Sequence, residues 1–114
     1  MNSLQKADQA VAAIATAPRV SLADIQAEIV TRYHFTAAEA VEAMGCENTP
    51  EPLKVLSLCI LVLKNGWTVI GKSAPASPAN FNAKLGVQFA EDDAIRQLWS
   101  PMGFALRDRL AGTK

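Results

Sequence analysis

Four side chains suited to holding a nucleotide follow one another near the middle of the chain: Trp67, Lys72, Ser77 and Asn80. An indole stacks on a purine ring, and such stacking is worth roughly 1 to 3 kcal/mol. A lysine at a strand end and the free N–H groups of a following helix N-terminus both attract phosphate. The pattern therefore indicates a nucleotide pocket, although ordinary cross-strand packing would also account for Trp67.

Two charged residues lie on an apolar side of the predicted C-terminal helix. An advance of about 100° per residue places Asp92 and Arg96 on the side that also carries Leu85 and Trp99. One interpretation is an i,i+4 ion pair at the edge of the core or at a subunit contact. The other is that Arg96 binds an anionic ligand through its planar fork of donors while Asp92 holds the guanidinium in place. The sequence leaves both open.

Patterns for catalysis and for metal binding are absent from the sequence. His34 is the single histidine and lies between two aromatic residues, where we expect it to pack at a helix end. Cys46 and Cys59 form no CxxC pair, and with one histidine they do not supply a four-ligand zinc site. Serine-hydrolase, zinc-protease and Gly-rich phosphate motifs do not occur. We therefore expect a binding protein with no enzymatic activity, no metal and no cofactor.

Length, composition and charge exclude several further classes of protein. The chain has 114 residues, half of them apolar, which suffices for one domain with a core. Eleven basic and eleven acidic residues give zero formal net charge, which disfavours binding to DNA or RNA polymers. The longest nearly apolar run, Leu53 to Leu63, is shorter than the roughly 20 residues of a membrane span. With no secretory signal pattern at the N-terminus, a cytoplasmic protein without membrane contact is expected.

The N-terminal part of the chain is predicted to be helical. Leu4 to Ala17 is rich in alanine and predicts a first helix. Ser21 is a suitable N-cap for apolar residues spaced three and four apart, which predicts a helix from Leu22 to Tyr33. Thr36 opens a capping box and predicts a short helix that ends at Gly45.

Two short capped helices in succession also have the outline of a helix-turn-helix. The second one, Ala37 to Met44, carries two glutamates and no basic residue, so it would repel DNA. We instead interpret residues 1–45 as a helical extension within a single domain spanning residues 1–114, whose core comprises residues 53–111.

A β-hairpin is predicted in the middle of the chain. Leu53 to Lys64 and Trp67 to Ser73 are rich in strand-forming residues, and Asn65-Gly66 between them favours a two-residue type I′ turn. In that register Lys64 faces Trp67. An isolated two-stranded ribbon is marginal in water and leaves its edges unpaired. We therefore expect partner subunits to cover the ribbon in a homo-oligomer.

Two helices are predicted after the hairpin. Ser77 or Asn80 would cap the first, which runs to about Trp99, and Ser100-Pro101 would begin the second. Helices thus flank a central antiparallel hairpin on both sides, which predicts the α+β class. The apolar side of the first of these helices would carry Phe81, Leu85, Phe89, Ile95 and Trp99.

An ordered set of short motifs resembles a known family. NGW at 65–67 and SPANF at 77–81 are followed by AIRQLW at 94–99 and GFALR at 103–107. This set is similar to that of a small phage and prophage protein family named for gene products forty-nine and sixty-six of an enterobacterial podovirus. That family in turn resembles the first type of phage anti-defence protein directed against the bacterial Thoeris system.

The resemblance implies an oligomeric sponge that binds a cyclic nucleotide immune signal without cleaving it. Such sponges hold cyclic ADP-ribose isomers made by Thoeris TIR enzymes, and some also hold cyclic oligonucleotides of the CBASS defence. The resemblance further implies that Trp67 stacks on the base and that Ser77 touches the ligand. The alternative function is a phage protein that docks on a host protein through the apolar face of the hairpin.

Overall fold

The computed structural model describes residues 2–112 and confirms the α+β class. Three antiparallel strands form one sheet in the order β1-β2-β3. Helix α5 packs across one face of that sheet. The strands are β1 (Ile29–Thr36), β2 (Ser57–Leu63) and β3 (Thr68–Ser73). The helices are α1 (Ser3–Ala12), α2 (Leu22–Glu28), α3 (Ala37–Ala43), α4 (Glu51–Lys54), α5 (Ala83–Arg96) and α6 (Trp99–Gly112), with a short 3₁₀ turn at Pro78–Asn80.

The first three helices each begin with a capping box. The side chain of Asn2, Ser21 or Thr36 accepts a hydrogen bond from the backbone N–H three residues on. The side chain of that third residue accepts in return from the backbone N–H of the cap. These pairs satisfy donors that a helix N-terminus leaves free. The caps predicted at Ser21 and Thr36 are confirmed, whereas α1 ends at Ala12 rather than at Ala17.

Strand β1 overturns the helix predicted from Leu22 to Tyr33. Helix α2 ends at Glu28, and the chain continues as an eight-residue strand. Ile29–Thr36 is rich in β-branched and aromatic residues, which fit a pleated surface better than a helix. The strand also separates α2 from α3, so the outline of a helix-turn-helix is wrong as well.

The same strand changes how the hairpin edges are covered. The sequence predicts partner subunits as the cover, but β1 pairs with β2 within the chain. On the other edge, the Asp93 carboxylate accepts from the Lys72 backbone N–H at 2.9 Å. The Gln97 side chain donates to the Ile70 carbonyl at 2.7 Å. Asp93 of α5 and Gln97, the residue after α5, thus satisfy backbone groups that an edge strand would otherwise leave unpaired.

The hairpin turn is confirmed, but its predicted register is wrong by one residue. The Leu63 N–H donates to the Trp67 carbonyl at 2.8 Å, so three residues form the loop. Gly66 takes a φ of 87°, which favours glycine. A three-residue loop of this kind combines a type I turn with a left-handed glycine. Trp67 therefore pairs with Leu63 on the side facing the helices, and not with Lys64.

Small residues let α5 lie close to the sheet. Ala90 and Ala94 are fully buried, and Gly71 of β3 lies against their backbone. Leu85 and Phe89, predicted on the buried side of the helix, are instead half exposed, while Ile95 is buried as predicted. The apolar stripe predicted for this helix is therefore wrong in its N-terminal half. The close approach of two backbones selects small side chains there.

Other element boundaries also differ from the prediction. Strand β2 starts at Ser57 rather than at Leu53, because the prolines before it form the first turn of α4, where a missing N–H costs little. Asn82 caps α5 by accepting from the Leu85 N–H at 3.1 Å, so neither Ser77 nor Asn80 has the predicted role. Helix α6 begins at Trp99, close to the expected start.

Candidate functional site

A cavity of about 750 Å³ lies between α1, the segment before α2, and α6. Three charged side chains, those of Arg19, Arg96 and Asp8, line it from different elements, together with the hydroxyl of Ser3. The indole of Trp99 forms part of the wall. The remaining wall is mostly apolar, lined by Leu4, Ala7, Val11, Val20, Gly103 and Leu106. Pockets that hold small ligands are typically this size and combine an apolar wall with a few convergent polar groups.

Asp8 fixes the position of α1 at this cavity. Its carboxylate accepts from the Arg19 guanidinium at 2.8 Å and from the Leu22 backbone N–H at 3.0 Å. The Leu22 hydrogen bond first, and the Arg19 hydrogen bond second, lower the pKa of Asp8 below its ordinary value. The ionised carboxylate therefore joins α1 to the start of α2, and Leu4 anchors the same helix in the core.

Arg96 and Trp99 project into the cavity from the junction of α5 and α6. The Arg96 guanidinium donates to the Ser3 hydroxyl at 2.6 Å. The Trp99 indole N–H donates to the Val20 carbonyl at 2.9 Å, which fixes the plane of the ring. Because its Ser3 partner is neutral, Arg96 keeps a charge that an anion can neutralise, whereas Arg19 is paired with Asp8.

The structure places Trp67 on a different surface from Arg96. Trp67 is 55% exposed and lines a smaller pocket of about 230 Å³ beside the hairpin turn. Leu98 and Met102 form part of the opposite wall of that pocket. Within a single chain, as described for residues 2–112, Trp67 and Arg96 therefore line two different pockets.

The remaining predicted residues are also distributed over the fold. Lys72 pairs with Leu58 and is exposed on β3, on the sheet face away from α5. Ser77 is exposed before the 3₁₀ turn, and Asn80 lines a pocket of about 170 Å³ with Phe81 and Phe89. These three residues surround the end of the hairpin and do not meet the cavity that holds Arg96.

Asp92 is buried, at 5% exposure, and accepts from the Gln88 side chain at 2.9 Å. The ion pairs found among the described residues do not include one between Asp92 and Arg96. Both interpretations left open by the sequence place Asp92 against Arg96, whereas among the described residues the two make separate contacts, with Gln88 and with Ser3. Asp92 stabilises α5 locally, while Arg96 is directed towards α1.

His34 and Cys59 lie on neighbouring strands, so the predicted place of His34 at a helix end is wrong. His34 lies in β1 rather than at a helix end, and its Nε2 is 3.1 Å from Glu91 Oε1. Cys59 is fully buried in β2. Burial, followed by the negative charge of Glu91, raises the pKa of the Cys59 thiol to about 11. The free thiol is therefore protonated at neutral pH and is a poor nucleophile.

The fold and cavity define a small α+β protein whose ligand-sized cavity lies between terminal helices. A family model described as "Phage protein (N4 Gp49/phage Sf6 gene 66) family" matches residues 20–110. The match covers more than half of the chain, and the protein belongs to this phage protein family. The resemblance predicted from the motifs is confirmed. No curated protein and no solved structure matches the chain.

Two further observations concern the helices. Helix α1, which forms one wall of the large cavity, precedes the matched residues. Among the residues that the structure describes, none of the helices has the length and apolar character needed to cross a membrane.

Proposed function

We propose that this phage protein is an anti-defence sponge that binds a cyclic nucleotide immune signal in the cytoplasm of the infected bacterium and does not cleave it. The ligands proposed are cyclic ADP-ribose isomers of Thoeris and, as a second group, cyclic oligonucleotides of CBASS. The observation that carries the proposal is the cavity of about 750 Å³ that Arg96, Arg19 and the Trp99 indole line together. Membership of the phage family supports the biological setting.

The chemistry of this cavity suits such a ligand. A guanidinium binds phosphate oxygens through two parallel donors, which gives Arg96 a role with a pyrophosphate. The apolar wall and the indole of Trp99 suit a purine ring. Tight binding without reaction is sufficient for the function, because a site of nanomolar affinity, about −12 kcal/mol, lowers the free signal by mass action.

The proposal includes a homo-oligomer. Phe104 and Leu110 of α6 are 71% and 46% exposed, and the α6 residues that the structure describes are all at least partly exposed. The radius of gyration is 17.1 Å, against about 13 Å expected for a compact chain of this length. A second copy packed against α6 would bury this apolar surface. In such an oligomer, a ligand held by one chain would be contacted by four residues of another chain, namely Trp67, Lys72, Ser77 and Asn80.

Isothermal titration calorimetry with cyclic ADP-ribose isomers and with cyclic di- and trinucleotides tests the proposal. We expect heat from at least one ligand, and recovery of that ligand intact by mass spectrometry.

Arg96→Gln should weaken binding at least about tenfold, because hydrogen bonds to charged groups contribute about 1.5 to 3 kcal/mol. Lys54 on α4 is exposed and lines none of the cavities described, so Lys54→Gln provides a control for the loss of one positive charge and should bind as the wild type does. Absence of heat from every ligand would refute the proposal.

A second candidate function is docking on a host protein. It is favoured by the sheet face opposite α5, where Tyr33 and Ile70 are each 58% exposed beside half-buried Ile60. Under this alternative, Tyr33→Ser or Ile70→Thr abolishes capture of a defined host protein, and no nucleotide changes the melting temperature. A nucleotide-dependent melting shift that survives both substitutions would favour the sponge.

A further inference from the structure

A cluster of three potential metal ligands lies outside the nucleotide cavity, where α5 crosses β1 and β2. His34 and Cys59 are directly paired across the two strands, so their side chains lie on the same face of the sheet. Glu91 of α5 lies over this pair, with its Oε1 at 3.1 Å from His34 Nε2. One ligand atom from each residue lies within 4.8 Å of the other two.

The three donors form a chemically coherent set. An imidazole nitrogen, a thiolate sulfur and a carboxylate oxygen are the ligand types that Zn²⁺ and related divalent ions accept. Zinc binds these atoms at about 2.0 to 2.3 Å, so two ligands of a tetrahedral site lie roughly 3 to 4 Å apart. The His34–Glu91 separation of 3.1 Å fits such a site, and the separations to the Cys59 sulfur, at most 4.8 Å, are up to about 1 Å longer than a bound ion requires.

The surroundings of the cluster allow an ion to enter. The side chains of His34 and Glu91 are 26% and 23% exposed, while Cys59 is buried beneath them. Three protein ligands leave a fourth tetrahedral position for water. Arg32, the neighbour of His34 on the same sheet face, contacts Glu91 Oε1 through Nε at 3.3 Å. Its guanidinium neutralises the carboxylate in the metal-free protein and therefore competes with a cation.

We propose that His34, Cys59 and Glu91 bind one divalent transition-metal ion of the zinc class, which joins α5 to strands β1 and β2. On binding, the Cys59 thiol loses its proton to water and the sulfur forms a bond to the metal. His34 coordinates through Nε2 and Glu91 through a carboxylate oxygen. The Arg32 guanidinium, 39% exposed, turns towards solvent as the metal takes its place beside Glu91.

Titration of the full-length, reduced and metal-stripped protein with Co²⁺ tests this site. We expect a near-ultraviolet thiolate-to-cobalt charge-transfer band that saturates at one ion per chain and is lost when Zn²⁺ is added. Cys59→Ser should remove the band. Cys46→Ser is the matched control, because Cys46 is the exposed free cysteine, and this variant should keep the band.

Two further variants keep the test decisive if Cys59→Ser reduces stability. His34→Gln changes a partly exposed side chain and should weaken Co²⁺ binding at least about tenfold with an unchanged far-ultraviolet spectrum. Arg32→Gln should tighten binding severalfold, an effect that a purely structural ion pair does not predict. The proposal is refuted if the wild type shows no charge-transfer band, or if the band depends on Cys46 and not on Cys59. Neither result bears on nucleotide binding, since this cluster and the Arg96 cavity share no residue.

Discussion

At the scale of single residues, Gly71 shows how tightly the sheet and α5 are packed. A Cβ atom at this position would meet the Ala90 carbonyl oxygen and would lie 2.5 Å from the Ala94 nitrogen and 2.8 Å from the Ala94 Cβ. Two of these atoms belong to the helix backbone and cannot move independently. Glycine is therefore required at position 71 for steric reasons.

We expect Gly71→Ala to lower the free energy of unfolding by about 3 kcal/mol, the upper end of the usual cost of overpacking. Urea denaturation followed by circular dichroism measures this change. Gly103 in α6 has open space where a Cβ would lie, so Gly103→Ala should keep or raise stability by up to about 1 kcal/mol through helix propensity. Equal stabilities of the two variants would contradict the packing described for α5.

At the scale of elements, α1 depends on a small number of contacts. Leu4 is its buried residue, and Asp8 holds it to Arg19 and to the Leu22 N–H. The lowered pKa of Asp8 means that its ionised form is favoured in the folded state. Its contribution to stability is present above the unfolded value, near 3.8, and is lost as the pH falls through the lower folded value.

We therefore expect Asp8→Asn to reduce stability at neutral pH, and the difference from wild type to close as the pH falls below 3.8. Urea midpoints measured across this range give the difference directly. Glu47→Gln, in the exposed segment after α3, serves as the control and should show no comparable effect at either end of the range. A constant difference between Asp8→Asn and wild type down to the lowest pH would contradict the proposed role of the charge.

At the scale of the whole molecule, the chain is elongated, with principal extents of 59 × 29 × 18 Å. The start of helix α6 packs against the core through Trp99 and Met102, but farther along the helix Phe104 is 71% exposed. Such an arrangement is unfavourable in water unless another surface covers it. The proposed homo-oligomer supplies that cover from a second copy.

Phe104→Gln should shift the protein to a smaller species in light scattering coupled to size exclusion. The Phe104 side chain is 71% exposed in the single chain, and a second copy would bury it. Its replacement by a polar side chain therefore weakens the contact between copies. Met44 directly follows α3, far from α6 in the sequence, and its side chain is 84% exposed. It therefore provides a matched apolar control. Met44→Gln should leave the mass unchanged. A wild-type protein that is monomeric at every concentration would refute the oligomer.

The sequence determined those features that depend on a few neighbouring residues. Ser21 and Thr36 cap their helices because a hydroxyl reaches an N–H three residues on, whatever the remainder of the chain does. Asn65-Gly66 makes a turn because Gly66 accepts a positive φ. The family motifs are likewise local patterns of residues, and the match over residues 20–110 confirms the family that they predicted.

The tertiary structure alone decided features that join distant segments. Ile29–Thr36 becomes a strand because β2 offers it an edge, and its local apolar spacing is compatible with a helix as well. The metal cluster brings together His34, Cys59 and Glu91, although up to 57 positions separate them. A local sequence motif cannot predict contacts over that distance. Arg96 faces Ser3 across 93 positions for the same reason. Side-chain proximity of this kind is set by packing and register, which are properties of the complete fold.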